Sequence, residues 1–489
     1  GGNWTPFLNN GQTNVFVQFY YSGTSFRIPN YSQYNQNQLS NFAGLEIDHG
    51  PGEIQLPNQS LVMNSFNVFS TSGTGGRCFN STETAIRNIQ ATNGWTVGNN
   101  GHFQFSSRAG MVRRDHYVSS NNAACTLSVA STGRLSVESN AGDYQQYMWF
   151  NEGFTNEGTI DFMPMAITNA RVWMCVGSSR NTTFQGNGTT RVPRLYVDRT
   201  TKTVTVTNSN AGFVFANPST GGNIGIQLVT GTYIQNHSNI NWVMKTGVNP
   251  GELAINANSH LIIRAGTAAI NATGTNAGLR VDGSLTIDGT GKLKLLSNPG
   301  VDNYLGVGTA GAFITIATSH SVIIGSQLKG IGMVAAPNFT MRSGTLVVGR
   351  QGAPDLTRGM FAVAGTNSRF KVSGGKIVVM RSVGQPSVFD VNIQPDSTPV
   401  YTGGTFQVGS SLMASGANFL VRNSHGFYSL RLVNSGSLNP TLDNRNFNLT
   451  VFENDTIDAG TTCLMNNLDL NIGGSLVKNG TYTGGTGTV

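Results

Sequence analysis

The chain has 489 residues, of which 62 are glycine, 38% are hydrophobic and only 11% are charged. Regularly spaced Val, Ile, Leu and Phe supply the apolar surface that disordered chains lack, so the composition excludes an intrinsically disordered protein. The net charge of +7 comes from 30 basic and 23 acidic residues, an excess that is too dilute along the chain to indicate a nucleic-acid partner.

Residues 1–120 have the least regular pattern in the chain. Tyr, Asn and Gln dominate the stretch from Tyr20 to Gln38, and only Thr82–Ile89 has the pattern of a short amphipathic helix. The end units of stacked repeats are atypical, because an exposed edge would pair with other chains. We therefore predict an irregular, β-rich N-terminal part or cap over residues 1–120.

Two acidic groups are dense enough to be candidate metal sites. Ca²⁺ is a hard cation that takes several oxygen ligands, and either group could hold it. Neither group matches an EF-hand or a glycine-rich Ca²⁺ repeat, and turn carboxylates that accept backbone N–H groups are the alternative. We therefore predict no cofactor, with Ca²⁺ as the one ion to test. The two groups are Glu46, Asp48 and Glu53, and Glu453, Asp455 and Asp458.

A tight basic group, Arg113 and Arg114, is followed by Asp115, His116 and Tyr117. Basic and aromatic residues together can bind phosphates or sugars, and a solvated loop is the alternative. Asp115 and His116 are the candidate acid–base pair, because proton transfer needs such groups within hydrogen-bonding reach of a substrate. The chain lacks the G-x-S-x-G, H-E-x-x-H and P-loop motifs that would indicate a catalytic class.

Aromatic side chains are concentrated at Tyr144, Tyr147 and Trp149. Aromatic rings stack on the apolar faces of sugars. These three residues, with Arg113 and Arg114, are therefore the predicted binding residues for a surface polysaccharide or another cell-surface ligand. The alternative is that the rings form a core where a loop folds back.

The four cysteines, Cys78, Cys125, Cys175 and Cys463, are far apart and form no C-x-x-C pair. This spacing excludes the common zinc and redox motifs. Cys175 lies in the apolar run Val172–Val176, where a thiol packs as a small hydrophobic group. We predict unpaired core cysteines.

A repeat is plain from about residue 250 onwards. Glycine-rich turns alternate with short runs in which every second residue is apolar, as in Gly283–Gly289. Gly251–Ile263 reappears as Gly311–Ile323, an offset of 60, which would place His260 and His320 at equivalent positions. Each run offers a narrow apolar stripe that can be buried only by stacking on its neighbours.

The predicted fold is therefore all-β: a parallel β-helix, or β-solenoid, over residues 121–489. We expect a right-handed coil that continues beyond the C-terminal residue, since the last repeat has no cap. No apolar stretch approaches the roughly 20 residues that a transmembrane helix requires. Low Lys and Glu content with abundant Asn, Gly and Thr favours an exported protein.

The repeats Gly474–Val489 and Asn151–Ile160 resemble those of large Bacteroidota surface proteins that the type IX system secretes, including the adhesins of gliding motility. The resemblance covers roughly residues 250–489. It implies an extracellular, cell-surface protein whose partners include the export machinery and an outer-membrane anchor. It brings no catalytic residues, and the C-terminal sorting domain of such proteins is not visible.

The predicted function is that of an elongated adhesin or filament segment, which acts as a stiff spacer and a multivalent binding surface. One alternative is a polysaccharide lyase, a hydrolase or a tailspike-like depolymerase. Such an enzyme would bring two carboxylates, or a carboxylate and Arg or Lys, within hydrogen-bonding reach on one β-face. Another alternative is a structural filament subunit that self-associates.

Overall fold

The chain folds into parallel β-strands that stack as a β-solenoid, and this confirms the predicted fold class. All the described residues lie in strands, turns or irregular segments, with no helix among them and hence no helical segment that could cross a membrane. The chain divides into two compact units, Gly1–Trp242 and Val243–Val489. The computed structural model describes residues 16–20, 25–27, 40–56, 61–73, 76–79, 89–106, 114–118, 126–138, 145–162, 171–177, 179–215, 225–246, 253–272, 278–296, 302–330, 337–351, 355–413 and 417–489.

The first unit contains strands β1 to β21 and the start of β22, and most of them are three to six residues long. Their bounds are β1 Phe16–Tyr20, β2 Ser25–Arg27, β3 Ser40–Asp48, β4 Glu53–Gln55, β5 Leu61–Phe69, β6 Arg77–Phe79, β7 Ile89–Val97, β8 His102–Phe105, β9 Arg114–Val118, β10 Thr126–Val129, β11 Arg134–Val137, β12 Gln145–Phe150, β13 Gly153–Asn156, β14 Thr159–Asp161, β15 Arg171–Val176, β16 Thr182–Gln185, β17 Thr189–Val192, β18 Arg194–Asp198, β19 Thr205–Asn208, β20 Gly212–Phe215, β21 Gly225–Gln235 and β22 Asn241–Thr246.

These strands form three parallel stacks. One is an eight-stranded sheet in the order β2-β4-β6-β8-β11-β14-β17-β20. A second runs β3-β5-β7-β10-β13-β16-β19, and a third runs β9-β12-β15-β18-β21. Successive strands of a stack come from successive coils, which is the pairing of a parallel β-helix.

Parallel pairing continues across residue 120, the predicted boundary of the N-terminal part. Strand β7 pairs with β10, and Trp95 lies in register with Leu127. Residues 82–88 of the predicted helix lie outside the described residues, and Ile89 begins β7 as a strand. The described strands of residues 40–118 therefore share the coil architecture of the strands that follow.

Alternating side chains explain why these segments form strands. In β18, half-buried Arg194 and Tyr196 alternate with fully buried Leu195 and Val197. Inward side chains of successive coils meet in one interior, and burying each large apolar side chain contributes roughly 1.5–3 kcal/mol. No single strand could form this core alone.

Turns keep the coils in step through close backbone approaches. A Cβ atom at position 283 would collide with the carbonyl oxygens of Asn256 and Ser259 on the neighbouring coil, and Gly283 has none. The Gly283 N–H donates to the carbonyl of Ile255 at 3.0 Å. Glycine is therefore required here by the space between coils.

The buried cysteines agree with the sequence prediction. Cys78, Cys175 and Cys463 are fully buried and form no disulfide in the described part of the chain, and Cys125 lies outside the described residues. Burial raises the pKa of the Cys78 thiol, so it packs as a small apolar group.

The second unit contains the remainder of β22 and strands β23 to β45. Their bounds are β23 Leu253–Ile255, β24 Ser259–Ile263, β25 Thr267–Ala272, β26 Leu279–Val281, β27 Ser284–Gly289, β28 Lys292–Leu295, β29 Leu305–Val307, β30 Phe313–Ile324, β31 Leu328–Gly330, β32 Asn338–Val348, β33 Phe361–Gly365, β34 Arg369–Val379, β35 Val391–Pro395, β36 Val400–Val408, β37 Asn418–Asn423, β38 Ser429–Leu432, β39 Thr441–Asn444, β40 Leu449–Val451, β41 Asp455–Ile457, β42 Thr462–Leu464, β43 Leu470–Ile472, β44 Leu476–Lys478 and β45 Thr481–Thr483.

Three parallel stacks recur in this unit. One runs β24-β27-β30-β32-β34-β36, and another runs β26-β29-β31-β33-β35-β37-β39-β42-β45. The long strands β30, β32, β34 and β36 turn a corner, and their second halves form the third stack with β28 before them and β38, β41 and β44 after them.

The 60-residue sequence repeat does not match the register between the coils. His260 of β24 pairs in register with Ser284, and Ser284 pairs with Phe313. His320 lies seven residues further along β30 than Phe313. The two histidines that the sequence repeat aligns are therefore not stacked on one another.

One inward row shows how the second unit packs. Its members pair successively in register and are all buried. The next position of the row is Asp455, which is also buried. A carboxyl group therefore occupies a place that every earlier coil of the row fills with an apolar side chain. The apolar members are Leu293, Val322, Leu346, Ile377, Phe406 and Leu430.

Candidate functional site

Three consecutive coils of the first unit bring aromatic side chains together on the outside of one stack. Strands β12, β15 and β18 are neighbours in this stack. Tyr147 of β12 pairs in register with Trp173 of β15, and Trp149 pairs with Cys175. Cys175 pairs in turn with Tyr196 of β18. The register therefore creates two parallel rows of outward side chains.

The first row consists of Tyr147, Trp173 and Arg194. The Tyr147 and Trp173 rings meet edge to face with their centroids 5.1 Å apart. The Arg194 guanidinium carbon lies 4.3 Å from the centroid of the Trp173 ring. Such a cation–π contact contributes about 0.5–1 kcal/mol at an exposed site and fixes the direction of the guanidinium.

The second row consists of Trp149, Cys175 and Tyr196. The Trp149 and Tyr196 rings lie two coils apart in the stack, yet their centroids are only 6.1 Å apart. The small Cys175 side chain between them is fully buried, so the two rings lean together over it. The Tyr196 hydroxyl donates to Oδ2 of Asp198 at 3.3 Å. We call the five residues Tyr147, Trp149, Trp173, Arg194 and Tyr196 the aromatic face.

Period-two alternation positions this face. Met148 and Phe150 flank Trp149 in β12 and are fully buried, and so are Val172 and Met174 on either side of Trp173. The intervening aromatic residues are half-buried. Their rings are held by the strands below and by one another, so they need little ordering when a ligand binds.

The aromatic face suits an extended carbohydrate chain. Adjacent coils are about 4.8 Å apart, close to the length of one sugar residue in an extended glycan. Aromatic rings present apolar faces to the C–H groups of sugars, and the Arg194 guanidinium and the Tyr196 hydroxyl supply polar groups beside them.

Two of the five predicted binding residues, Tyr147 and Trp149, belong to the aromatic face. Tyr144 and Arg113 lie outside the described residues, and of Arg114 only the backbone in β9 is described. Sequence reasoning missed Trp173, Arg194 and Tyr196. The signal that could have found them is the same alternation in Tyr147–Phe150, Val172–Val176 and Arg194–Val197.

The candidate acid–base residue His116 lies in the interior and is fully buried. Its Nδ1 accepts the Ile89 N–H at 3.2 Å, so its Nε2–H donates to Oε1 of Gln146 at 3.0 Å. The ring thus satisfies two neighbouring groups and presents no nitrogen to a substrate. The side chain of Asp115 lies outside the described residues.

The first acidic group does not converge on one point. Asp48 accepts the backbone N–H groups of Gly50 and Thr71, each at 3.2 Å, and the Thr71 hydroxyl at 2.5 Å. Glu46 accepts from Asn67, and Glu53 pairs with Arg77. Asp48 thus matches the alternative of a turn carboxylate that accepts backbone N–H groups, whereas Glu46 and Glu53 bind side chains of the next coil.

The second acidic group is divided between the surface and the interior. Glu453 accepts from the Tyr428 hydroxyl at 3.4 Å, and Asp458 pairs with Arg431 at 3.1 Å. Asp455 points inward, and neither of its carboxylate oxygens has a hydrogen-bond partner. Burial raises its pKa to about 7. No cluster of three or more metal-ligating side chains occurs in the described part of the chain.

Two carboxylates and a lysine do converge in the second unit. Nζ of Lys329 lies 2.8 Å from Oδ2 of Asp302 and 3.3 Å from Oδ2 of Asp355, on the preceding and following coils. The ammonium also lies 4.4 Å from the centroid of the Tyr304 ring. The Lys329 side chain is only 8% exposed. The cluster therefore clamps three coils together and offers little surface to a ligand.

Comparisons with known proteins add no family to these observations. A scan of protein-family models found no match, and searches of curated proteins and of solved structures found no significant similarity. The functional argument therefore depends on the geometry of this chain.

Proposed function

We propose that this protein is an extracellular adhesin that binds carbohydrate through the aromatic face of its first unit. The observation that carries the proposal is the alignment of four aromatic rings and the Arg194 guanidinium on three consecutive coils. Outward aromatic side chains that are half-buried, and already ordered by their neighbours, are characteristic of surfaces that bind ligands.

The solenoid supplies the scaffold for this activity. Each coil adds the same rise, so outward rows keep a constant spacing that a repeating polymer can match. One such contact is weak, but many contacts along one glycan, or among many copies on a cell surface, add through effective concentration.

The cellular setting follows from the sequence resemblance and belongs to the same proposal. The protein would be secreted through the type IX route and held at the cell surface by an outer-membrane anchor. Its polysaccharide ligand would be part of a surface over which the cell adheres or glides.

A glycan-binding measurement on the full chain tests the proposal. Wild type should bind at least one neutral, extended polysaccharide in a panel of β-glucans, xylans and mannans. The double variant Trp149→Ala/Trp173→Ala should lose at least about tenfold in affinity, or about 1.4 kcal/mol. Phe452→Ala is the matched control, because Phe452 is an exposed aromatic residue of the other unit.

Equal affinity of wild type and the double variant for every bound glycan would contradict the proposal. Circular dichroism separates this outcome from misfolding, since a folded variant retains the β-sheet spectrum. Failure of wild type to bind any neutral glycan would also overturn the role of the aromatic face.

Glycan cleavage is a second candidate function, supported by the convergence of Lys329, Asp302 and Asp355 and opposed by the small surface that this cluster offers to a substrate. The test is an assay for new reducing ends and for unsaturated sugars on the same panel. Activity that disappears in Lys329→Met, with the fold intact, would support an enzyme. Absence of both products with every glycan that binds would leave adhesion as the function.

A further inference from the structure

The net positive charge of the chain is confined to one segment. Residues 303–389 contain eight basic residues and one acidic residue, Asp355, so they carry +7. The whole chain has 30 basic and 23 acidic residues, which leaves 22 of each outside this segment. The excess is therefore concentrated on a few adjacent coils, and the expectation of a dilute charge is wrong.

Part of this charge lies on one outward surface of β32 and β34. Thr340 pairs in register with Lys371, and Asn338 pairs with Arg369. Arg342 is the next outward position of β32 after Thr340. Arg342, Arg369 and Lys371 are exposed. We call these three residues the cationic strip.

The cations of the strip have no carboxylate partner among the described residues. Two exposed arginines elsewhere in this unit do have partners: Arg264 pairs with Asp288 and Arg431 pairs with Asp458. Unpaired like charges on adjacent strands repel one another. A surface that keeps them together is suited to a polyanion that neutralises them.

Two neighbours of the strip indicate the chemistry of the partner. Asn338 is only 7% exposed, and its side-chain oxygen is buried without a hydrogen-bond donor. Phe313, which precedes Asn338 in the same register row, is 49% exposed. An unpaired amide oxygen calls for a hydroxyl or N–H donor, and an exposed ring calls for an apolar face. Sugar residues supply both.

We propose that the cationic strip binds an acidic polysaccharide, through the carboxylate or sulfate groups of its sugars. Arg369 and Lys371 are two residues apart on one strand and hence roughly 6.7 Å apart along it. The outward threonines of the neighbouring coils, Thr315 and Thr340, supply hydroxyl groups beside the charges. Single-stranded nucleic acid is less suited, because its binding surfaces stack successive bases on several aromatic side chains and only Phe313 is exposed here.

Binding of polygalacturonate to the full chain tests the proposal. Wild type should bind it and should lose affinity as NaCl is raised to about 0.5 M, because salt screens exposed charges. Fully methyl-esterified pectin, which lacks the charges, should bind at least about tenfold more weakly. Dextran sulfate distinguishes sulfate from carboxylate recognition.

The triple variant Arg342→Gln/Arg369→Gln/Lys371→Gln should lose at least about tenfold in affinity for polygalacturonate. The control variant Arg264→Gln/Arg431→Gln/Lys478→Gln removes the same charge from other exposed positions. It should stay within about threefold of wild type, because its cations lie outside the strip.

Three results would overturn the proposal. One is equal weakening of the triple and control variants, which would make net charge alone responsible. Another is tighter binding of a single-stranded DNA oligonucleotide than of polygalacturonate, lost in the same triple variant. The third is no binding of any acidic polysaccharide at low salt. The Trp149→Ala/Trp173→Ala variant should retain polygalacturonate binding, so the two proposals can fail separately.

Discussion

Histidines of the first unit and carboxyl groups of the second unit have pKa values that are shifted by burial. In the first unit, His49 is fully buried, and its Nε2 accepts the backbone N–H of His102 at 2.9 Å; His102 itself is half-buried and alternates with inward Phe103. Burial lowers the pKa of both rings, that of His102 to about 3, with a smaller effect of nearby Arg134. In the second unit, burial raises the pKa of Asp390 and Asp455 to about 7.

Both interiors therefore favour the neutral form of the group that they bury, since a charge in a low-dielectric core is costly. The histidines are neutral above their lowered pKa, and the carboxyl groups are neutral below their raised pKa. The same coil geometry thus gives two units that should respond to acid in opposite directions.

The exteriors differ as well. The first unit presents aromatic rings and Arg194 on β12, β15 and β18, whereas the second presents threonines and unpaired cations on β30, β32 and β34. The coil constrains inward positions to pack, and outward positions are free to vary. The two proposed binding surfaces therefore lie on the outward positions, where the units differ.

The largest expected effect is a loss of stability when an inward tryptophan of the first unit is replaced, compared with an outward one. Trp95 is fully buried, with its ring centroid 4.8 Å from that of Phe66 and 5.1 Å from that of Phe103. Trp95→Ala should lower the free energy of unfolding by about 3–5 kcal/mol. Trp173→Ala should cost less than about 1.5 kcal/mol, because its ring lies outside the core. Urea denaturation measures both, and equal losses would contradict this division.

A second prediction concerns an outward position that does not tolerate change. Lys329→Met should destabilise the second unit by about 3 kcal/mol, because it leaves Asp302 and Asp355 without their buried counter-ion. Arg264→Gln, which breaks a solvent-exposed pair with Asp288, should cost at most about 1 kcal/mol. Hydrogen exchange of the strands that flank Lys329 provides the measurement. Similar protection in the two variants would show that Lys329 does not hold the three coils together.

Acid should destabilise the first unit. The pKa of His102 is about 3 in the folded protein, against 6.5 for a free histidine. The unfolded chain therefore binds more protons between these values, and the stability present above pH 6.5 is lost as the pH falls. From pH 7 to 4 the loss should be on the order of 3 kcal/mol.

Tryptophan fluorescence can follow that change selectively, because all five tryptophans lie in residues 1–242. Urea midpoints measured at several pH values should shift downwards on acidification. A flat profile would mean that the histidines bind protons equally in the folded and the unfolded chain. Asp455→Leu serves as the control, since a change in the second unit should leave this profile unaltered.

The smallest effect is expected from Asp455, the carboxyl group in the apolar row of the second unit. Asp455→Leu restores the apolar row and should raise stability by about 2 kcal/mol at pH 7. In wild type the folded pKa of about 7 exceeds the ordinary value of 3.8, so stability falls as the pH rises from 4 to 7 and then stays level. In Asp455→Leu the part of this decline that Asp455 causes should disappear. The part that Asp390 causes should remain.

Hydrogen exchange of peptides from β41 to β45 at pH 4.5 and 7.5 is the suitable measurement. Burial raises the pKa of Cys463 and of Tyr482, and the charge of nearby Asp455 adds a smaller increase to each. The backbone amides of these two residues should exchange more slowly in Asp455→Leu than in wild type at the higher pH. Equal exchange rates in wild type and Asp455→Leu at both pH values would show that the buried carboxyl group does not destabilise the fold.

The sequence was sufficient to predict the fold of this chain, because alternation and glycine-rich turns are local signals. Gly283–Gly289 reads as a strand between turns without knowledge of its neighbours, and β27 occupies that segment. The sequence also singled out Tyr147 and Trp149, which the structure places on the aromatic face. It did not predict which residues would join them, since Trp173, Arg194 and Tyr196 are brought beside them by coil lengths that vary.

Composition, alternating apolar residues and turn glycines determined by themselves that the chain would form a solenoid, because each of these acts within a few residues. Only the tertiary structure decided the register between coils. Register places His260 beside Ser284 and not His320, sets Asp455 in an apolar row and groups the unpaired cations of β32 and β34 on one surface. These outcomes depend on contacts between residues 20 to 30 positions apart, whose spacing changes with each turn and so leaves no fixed period in the sequence.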